Sequence, residues 1–399
     1  MKLRLPAAVC ALVVVTGCGH GRPTSSPRAR QPATAPATAG ACSGSSTGVL
    51  LEPRDGVYFG VNLDWDHDTP ASLVHRLGRS PALYVAFAAF PIEGRAAGFI
   101  DGIVAELKEQ HAALMLTLEP NGGLSTVTDA AVAELAGRLA GYNREGVPIF
   151  LRFAHEMNGS WYPWSQQPSA YIATFRKVAV AVHRSAPATA MVWAPNYGGG
   201  YPFTGGHDAA VPGTPDFKAL DTNGDGVLTM ADDPYGPYYP GDDAVDWVGM
   251  SLYHWGSSYP WGANALPEPG KFAALLTGQY RGTIGDETEV PDFYSAYANA
   301  HHKPVAITET AAFFAPSRPG DETAIKAAWS KQVFDPSITT RFPRLEMINW
   351  FEWDKYESEV KAEVNWTVTR RPDLASTFVA ALPSQLRWGG SVRDCAYHR

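Results

Sequence analysis

The chain has 399 residues, of which 45% are apolar and 18% charged, so its composition is globular and its length suits one large domain or two ordinary ones. The net charge of −8 and the lack of a basic run argue against nucleic acid or an anionic membrane surface as a partner. Aromatic residues are abundant, with 12 Trp, 17 Tyr and 17 Phe, and they either fill a large core or form a stacking surface.

The N-terminal residues have the pattern of an export signal. Two basic residues precede an apolar stretch (5–15) that is too short to span a bilayer, and small residues follow it. Cys18, which comes directly after a Val-Thr-Gly sequence, resembles the lipidated cysteine of a bacterial lipobox. We therefore expect residues 1–18 to be a lipoprotein signal peptide and the protein to be exported and lipid-anchored. An ordinary secretion signal is the alternative.

Residues 19–48 consist mainly of Pro, Ala, Ser, Thr and Gly and contain no large apolar residue, which predicts a flexible tether before a folded domain at 49–399. Cys10 lies inside the signal and Cys18 at the lipobox, which leaves Cys42 and Cys395. In an exported protein such a pair predicts a disulfide, here between the ends of the domain, and two free thiols are the alternative.

Short apolar runs recur along the domain, and continuous runs of this length are typical of strands covered on both faces, as in parallel sheets. Eight such runs occur, at 57–63, 82–88, 113–119, 148–156, 190–195, 246–253, 304–309 and 346–353.

Amphipathic helical patterns lie between several of these runs, at 71–79, 130–145, 169–186 and 322–334. Alternation of strands and helices predicts an α/β fold, and eight strands predict a (β/α)8 TIM barrel forming a single catalytic domain. An open doubly wound sheet is the alternative, weakened because no Gly-rich phosphate loop follows the first strand.

In a barrel, active-site residues come from the carboxyl ends of the strands. Glu156 ends the fourth run and Glu309 the seventh, so the two would face each other across the mouth. Such a pair could flank a glycosidic bond, at about 5–5.5 Å for retention of configuration or roughly 6.5–9.5 Å for inversion. Alternatively, either Glu forms a salt bridge at the rim. Arg152, which has the side-chain parity of Glu156, would lie beside a catalytic carboxylate or in a structural ion pair.

Aromatic residues follow Glu156 directly, in the sequence Trp161-Tyr162-Pro163-Trp164. Sugar rings present C–H faces that stack on aromatic rings, so we expect a binding platform in which one of Trp161 and Trp164 packs inward and the other contacts ligand. Polar donors and further aromatic residues follow the same strand ends. The residues expected to bind substrate are His155, Asn158, Trp161, Tyr162, Tyr253, Trp255 and Trp350.

The stretch HEMNGSWYPW (155–164) resembles the signature of glycoside hydrolase family 26, whose best-known members are endo-β-1,4-mannanases. The resemblance extends over about 57–370 and implies a (β/α)8 barrel with a retaining mechanism. It implies that Glu156 is the acid/base and Glu309, in ITETA, the nucleophile. It also implies that His155 and Trp161 contact the substrate and that Tyr253 donates a hydrogen bond to the nucleophile.

The resemblance further implies an enzyme that cleaves a β-linked polysaccharide, β-1,4-mannan or a related hemicellulose, by double displacement. We expect the protein to be a monomer. One departure bears on the substrate: Glu119, in TLEPNGG (117–123), stands where mannanases often have a His. A β-glucanase or xylanase with the same two carboxylates is therefore an alternative. A cell-surface protein that binds polysaccharide without cleaving it is another, although the presence of both carboxylates argues against it.

A second motif, DTNGDGVLTMADD (221–233), has the spacing of a 12-residue EF-hand calcium loop. Gly226 would allow the sharp turn, and Asp at the twelfth position is shorter than the usual Glu, as in dockerin-like loops. A metal-free Asp/Gly-rich turn is the alternative. The predicted role of the Ca²⁺ is structural, and its expected ligands are Asp221, Asn223, Asp225, Val227, Thr229 and Asp232.

Overall fold

The computed structural model describes residues 51–257, 261–282 and 290–392. The predicted signal, tether and lipidation site at Cys18, and the predicted disulfide between Cys42 and Cys395, lie outside the described residues. No helix within the described ranges is long and apolar enough to cross a membrane.

Parallel strands form the centre of the fold, and β1 pairs with both β2 and β8, which closes the sheet into an eight-stranded barrel. The predicted (β/α)8 barrel is confirmed. The barrel strands are β1 (Val57–Leu63), β2 (Leu83–Ala89), β3 (Ala113–Glu119), β4 (Ile149–Phe153), β5 (Thr189–Trp193), β6 (Trp247–Ser251), β7 (Val305–Thr310) and β8 (Leu345–Glu352).

Two short additions flank the barrel. β9 (Asp354–Glu357) and β10 (Ala362–Asn365) form an antiparallel pair after β8, and β11 (Leu386–Arg387) pairs with the start of β1.

Helices surround the barrel, and several begin at side-chain caps; Thr69, for example, accepts a hydrogen bond from the Ser72 N–H at the start of the first helix. The helices of the described ranges are α1 (Pro70–Leu77), α2 (Gly94–Glu109), α3 (Asp129–Arg144), α4 (Pro168–Ser185), α5 (Pro215–Leu220), α6 (Lys271–Leu276), α7 (Glu322–Val333), α8 (Ile338–Arg341) and α9 (Pro372–Ala381). Single 3₁₀ turns lie at Leu124–Thr126 and Gly236–Tyr238, and a short π-helical segment lies at Tyr294–Asn299.

Strand alternation divides the core in two, because successive side chains point to opposite faces. One set of side chains packs outward against the helices and the other fills the barrel. Inside the barrel, apolar residues such as Met115, Phe150 and Met347 are followed two positions later by polar ones. The buried polar residues that come after them, towards the strands' carboxyl ends, include Thr117, Arg152, Ser251, Thr308 and Asn349.

Candidate active site

The chain turns sharply where β4 ends, and this turn positions Glu156. Ala154 and Glu156 have φ values of 47° and 51°, in the left-handed region that residues with side chains rarely occupy. The Glu156 N–H donates to the Ala194 carbonyl, 2.9 Å away, which fixes the turn against β5. Such strained backbone persists only where the surrounding structure enforces it, and it is common at functional sites.

Glu309 reaches the barrel mouth through an irregularity in β7. Ile307 packs outward, so regular alternation would also point Glu309 outward. The register between β6 and β7 shifts, however, because Met250 pairs with Ile307 while Ser251 pairs with Glu309. Thr308 is the extra residue, and this bulge turns the Glu309 side chain towards the interior, where it meets Arg152.

Arg152, fully buried inside the barrel, connects the two carboxylates. Its Nη1 donates to Glu309 Oε1, and its Nη2 donates to the Ser251 hydroxyl at 2.8 Å. The same Nη2 lies 4.0 Å from Glu156 Oε1. The Tyr253 hydroxyl donates to the second oxygen of Glu309 at 2.6 Å. Both Glu309 oxygens therefore accept hydrogen bonds, which fix the orientation of the carboxyl group.

The two carboxyl groups lie close together. An oxygen of Glu156, an oxygen of Glu309 and a ring nitrogen of His155 all lie within 4.8 Å of one another. This upper limit is well short of the roughly 6.5–9.5 Å that separates the carboxyl groups of inverting glycosidases and agrees better with the 5–5.5 Å or so of retaining ones.

Glu156 is electrostatically distinct from Glu309. Burial raises the pKa of Glu156, and the neighbouring Glu309 charge raises it further, while Arg152 opposes the shift. Its Oε2 accepts one hydrogen bond, from Trp161 Nε1 at 3.2 Å. A carboxyl group with a raised pKa beside an ion-paired one can hold a proton while its neighbour is charged, which is the division of roles that an acid and a nucleophile require.

Three comparisons with known proteins bear on this geometry. A family model described as Glycosyl hydrolase family 26 matches residues 110–198, which include the turn after β4. Residues 110–198, which match this model, are called the family 26 segment below. The resemblance predicted from HEMNGSWYPW is thereby confirmed.

A curated relative, endoglucanase H of Acetivibrio thermocellus, is 26% identical over 282 residues, which are 67% of this chain. The matched region spans only 24% of that relative's length. Among solved structures, GH26C from Muricauda sp. MAR_2010_75 superposes with a TM-score of 0.53 at 14% identity, covering 86% of this chain and 90% of the other. At that identity the superposition supports the fold alone. Bacillus subtilis mannanase man26 also superposes, at 16% identity over 83% of this chain and 86% of the other, but its TM-score of 0.44 carries no argument.

The aromatic residues of the family 26 segment divide as the sequence predicted, with one tryptophan inward and one outward. Trp164 is fully buried and stacks on Tyr162 with ring centroids 4.4 Å apart, whereas Trp161 is 39% exposed. The Trp161 ring lies over Gly159, where an added Cβ would fall 2.5 Å from the ring, so only glycine fits beneath it. That Trp161 and the partly exposed Tyr162 bind substrate stays a prediction.

The side chain of His155 is almost completely buried beneath the barrel mouth. It is 2% exposed and packs against Phe87, Tyr162 and Trp164. Burial and the nearby Arg152 lower its pKa well below the usual value, so the ring is neutral at neutral pH. Its Nδ1 has no hydrogen-bond partner among the described residues.

The prediction that Asn158 binds substrate is wrong. Its side chain is fully buried, its Nδ2 donates to the Asn196 carbonyl at 2.9 Å, and its Oδ1 accepts from the Asn196 N–H at 2.8 Å. The amide therefore joins the loops after β4 and β5 and has no exposed surface to offer a sugar.

The prediction for Trp350 is also wrong, and strand parity is the reason. Met347 and Asn349 point into the barrel, so Trp350 points outward, where it packs against Phe334 and Phe378. Trp353, three residues later, has the inward parity that Trp350 lacks.

Trp353 is the aromatic residue that the sequence reasoning missed. It is partly exposed, its ring lies 6.1 Å from that of Phe87 and 5.4 Å from that of Phe351, and its Nε1 has no described hydrogen-bond partner. Counting parity along β8 would have found it. After β6, Tyr253 and Trp255 are partly exposed, with ring centroids 6.4 Å apart.

The predicted calcium loop directly follows α5. Asp221 accepts hydrogen bonds from the Asp225 and Gly226 N–H groups at 3.1 and 2.9 Å, and Gly226 has a φ of 88°. Asp232, at the twelfth position, is 1% exposed and accepts N–H groups from Thr222 and Thr229. The side chains of Asp221, Asn223, Asp225, Thr229 and Asp232 and the Val227 carbonyl carry hard oxygen atoms of the kind that Ca²⁺ prefers. The structure does not bring the carboxyl oxygens of Asp221, Asp225 and Asp232 within 4.8 Å of one another, so the chemistry of the donor set fits the ion and its occupancy stays a prediction.

Proposed function

We propose that this protein is a retaining glycoside hydrolase that cleaves a neutral β-linked polysaccharide. One observation carries the proposal: carboxyl oxygens of Glu156 and Glu309, from β4 and β7, lie within 4.8 Å of each other at the barrel mouth. The family 26 segment at 110–198 supports the same reaction.

In the first half of the reaction, a Glu309 oxygen attacks the anomeric carbon. The bond from that carbon to the glycosidic oxygen breaks, and its electron pair goes to the departing sugar, which takes the proton from Glu156. The raised pKa of Glu156 keeps that proton bound at a higher pH than an ordinary carboxyl group would.

In the second half, the Glu156 carboxylate takes a proton from water as the water oxygen attacks the same carbon. The bond to Glu309 then breaks and both carboxyl groups return to their starting states. Arg152 and Tyr253, which contact Glu309 from inside the barrel and from β6, would hold its oxygens in line throughout both steps.

Two substrate classes are favoured by different observations. The resemblance of HEMNGSWYPW to mannanases favours β-1,4-mannan. The curated relative is named an endoglucanase, and Glu119 replaces the His that is frequent in mannanases, which favours a β-glucan as the second candidate.

A panel of mannan, glucomannan, lichenan and xylan with reducing-sugar detection tests the proposal, with NMR of the first anomer released reporting retention. The Glu309→Ala variant should be inactive on every polysaccharide. Glu156→Ala should keep more activity on aryl glycosides with good leaving groups than on polysaccharide. Glu109→Gln, an exposed carboxylate at the end of α2, serves as the matched control. No activity of the wild type on any substrate, or inverted product, would contradict the proposal.

We also propose a structural Ca²⁺ in the loop at 221–232, because an ion would neutralise three carboxylates there. EDTA should lower the Tm of the wild type, and Asp221→Asn/Asp225→Asn should have a lowered Tm that no longer responds to EDTA. An unchanged Tm on adding EDTA to calcium-loaded protein would contradict this.

Export with lipidation at Cys18 is a further proposal, supported by the residues around the lipobox. Labelled fatty acid should be incorporated into the wild type and not into Cys18→Ser. A disulfide between Cys42 and Cys395 predicts two thiols that react with an alkylating reagent only after reduction.

A further inference from the structure

A third carboxyl group lies beside the pair. Glu119 is the last residue of β3, and it shares the inward parity of Ala113, Met115 and Thr117. Its neighbour across the β2 register is the apolar Ala89. Unlike Thr117, it is partly exposed, so its side chain is accessible at the barrel mouth.

Charged and titratable groups face Glu119 from three directions. Arg152 and Glu156 approach from β4, Glu309 from β7, and Tyr162 from the loop after β4. Arg152 is the buried cation of this group, and its guanidinium is already hydrogen-bonded to Glu309 and Ser251. No hydrogen bond to the Glu119 carboxyl group is present among the described residues.

When three carboxyl groups surround one guanidinium, ionising all three is unfavourable because their negative charges repel one another. Burial raises the pKa of Glu119 to about 7, and the charge of Glu309 and then that of Glu156 add to the shift, while Arg152 opposes it. Glu119 therefore carries its proton below about pH 7, and that proton has no acceptor within the described part of the chain.

We propose that Glu119 is a substrate-binding residue whose carboxyl group donates a hydrogen bond to a hydroxyl of a sugar beside the cleaved linkage. The inference rests on the proposed glycosidase function. A sugar hydroxyl is neutral and accepts as readily as it donates, so it satisfies this group without adding charge. A carboxylated sugar would bring a fourth acid to the cluster, so the substrate class is a neutral polysaccharide.

The pH dependence of KM tests this role. If productive binding needs protonated Glu119, KM rises as the protonated fraction falls, by about tenfold between about pH 6 and 8 for a pKa near 7. Glu119→Gln, which keeps a donor at every pH, should have a KM that changes less than about twofold over that range. Glu119→Ala should have a KM raised about tenfold at about pH 6 with kcat little changed.

Glu109→Gln again provides the control, because it removes an exposed carboxylate away from the mouth and should keep the wild-type pH profile. A wild-type KM that is flat with pH, a Glu119→Gln variant with the wild-type rise, or a Glu119→Ala variant with wild-type KM would each overturn the inference. These outcomes require an active wild type. Failure of the proposed function is separate, because the wild type would then hydrolyse no polysaccharide of the panel.

Discussion

Replacing Arg152 with Met tests whether the buried guanidinium holds the two carboxylates together. The side chain is fully buried and bonded to Glu309, which is itself only 6% exposed. Removing one partner of a buried ion pair costs about 3–5 kcal/mol, because the other charge is left without compensation. Two carboxylates with oxygens within 4.8 Å of each other would also repel by at least about 3.5 kcal/mol at an effective dielectric constant of about 20, if both were ionised.

We therefore expect Arg152→Met to lower the free energy of unfolding by about 3–5 kcal/mol and the Tm by roughly 5–10 °C. Urea denaturation at neutral pH, followed by circular dichroism, measures the loss. Ser251→Ala is the matched control, because it removes the other hydrogen-bond partner of Arg152, leaves the ion pair, and should cost about 1 kcal/mol.

The double variant Arg152→Met/Glu309→Gln decides the mechanism. It removes the buried negative charge as well, so it should recover about half of the lost stability while remaining inactive. A single variant as stable as the wild type, or a double variant no more stable than the single one, would refute the view that Arg152 acts by compensating Glu309.

Three further predictions follow from the site. Tyr253→Phe removes a hydrogen bond to the Glu309 carboxylate, worth about 1.5–3 kcal/mol, so kcat/KM should fall by about 10–100-fold with little change in Tm. Asn158→Ala should lower the free energy of unfolding by about 1–3 kcal/mol, because the backbone N–H and carbonyl of Asn196 both lose their hydrogen-bond partner. The KM should stay nearly unchanged, and a large rise in KM would show that Asn158 does bind substrate. Because catalysis needs protonated Glu156, kcat should fall as the pH rises through its raised pKa, above the usual carboxyl range, and the kcat of Glu156→Gln on polysaccharide should lack this limb.

The barrel could be predicted from the sequence because its strands are buried on both faces and separated by amphipathic helices. The run at 57–63 coincides with β1 and the run at 113–119 with β3. Both acids at the mouth were also found this way, since each follows an apolar run. The end of β4 was less clear: the predicted run continued to Glu156, whereas the strand ends at Phe153 and a left-handed turn follows.

The orientation of side chains was harder to predict than their position along the chain. Regular alternation would turn Glu309 outward, and the bulge at Thr308 depends on pairing with β6, which no local pattern encodes. Trp350 was predicted from its place near a strand end without counting parity, which favours Trp353. Asn158 was interpreted by its chemistry alone, and its partner Asn196 is distant in sequence, so the contact between the two loops could not be anticipated.

The left-handed turn after β4 matters to anyone who tries to make this protein more heat-resistant. Ala154 and Glu156 each occupy a conformation that costs about 1–2 kcal/mol for a residue with a side chain. Selection for thermal stability alone would favour Gly or Asn at both positions, because these residues adopt the left-handed conformation more readily. At Glu156 such a substitution would remove the proposed proton donor. Stabilising substitutions should therefore be sought in the outer helices, and the residues of this strained turn should be left unchanged.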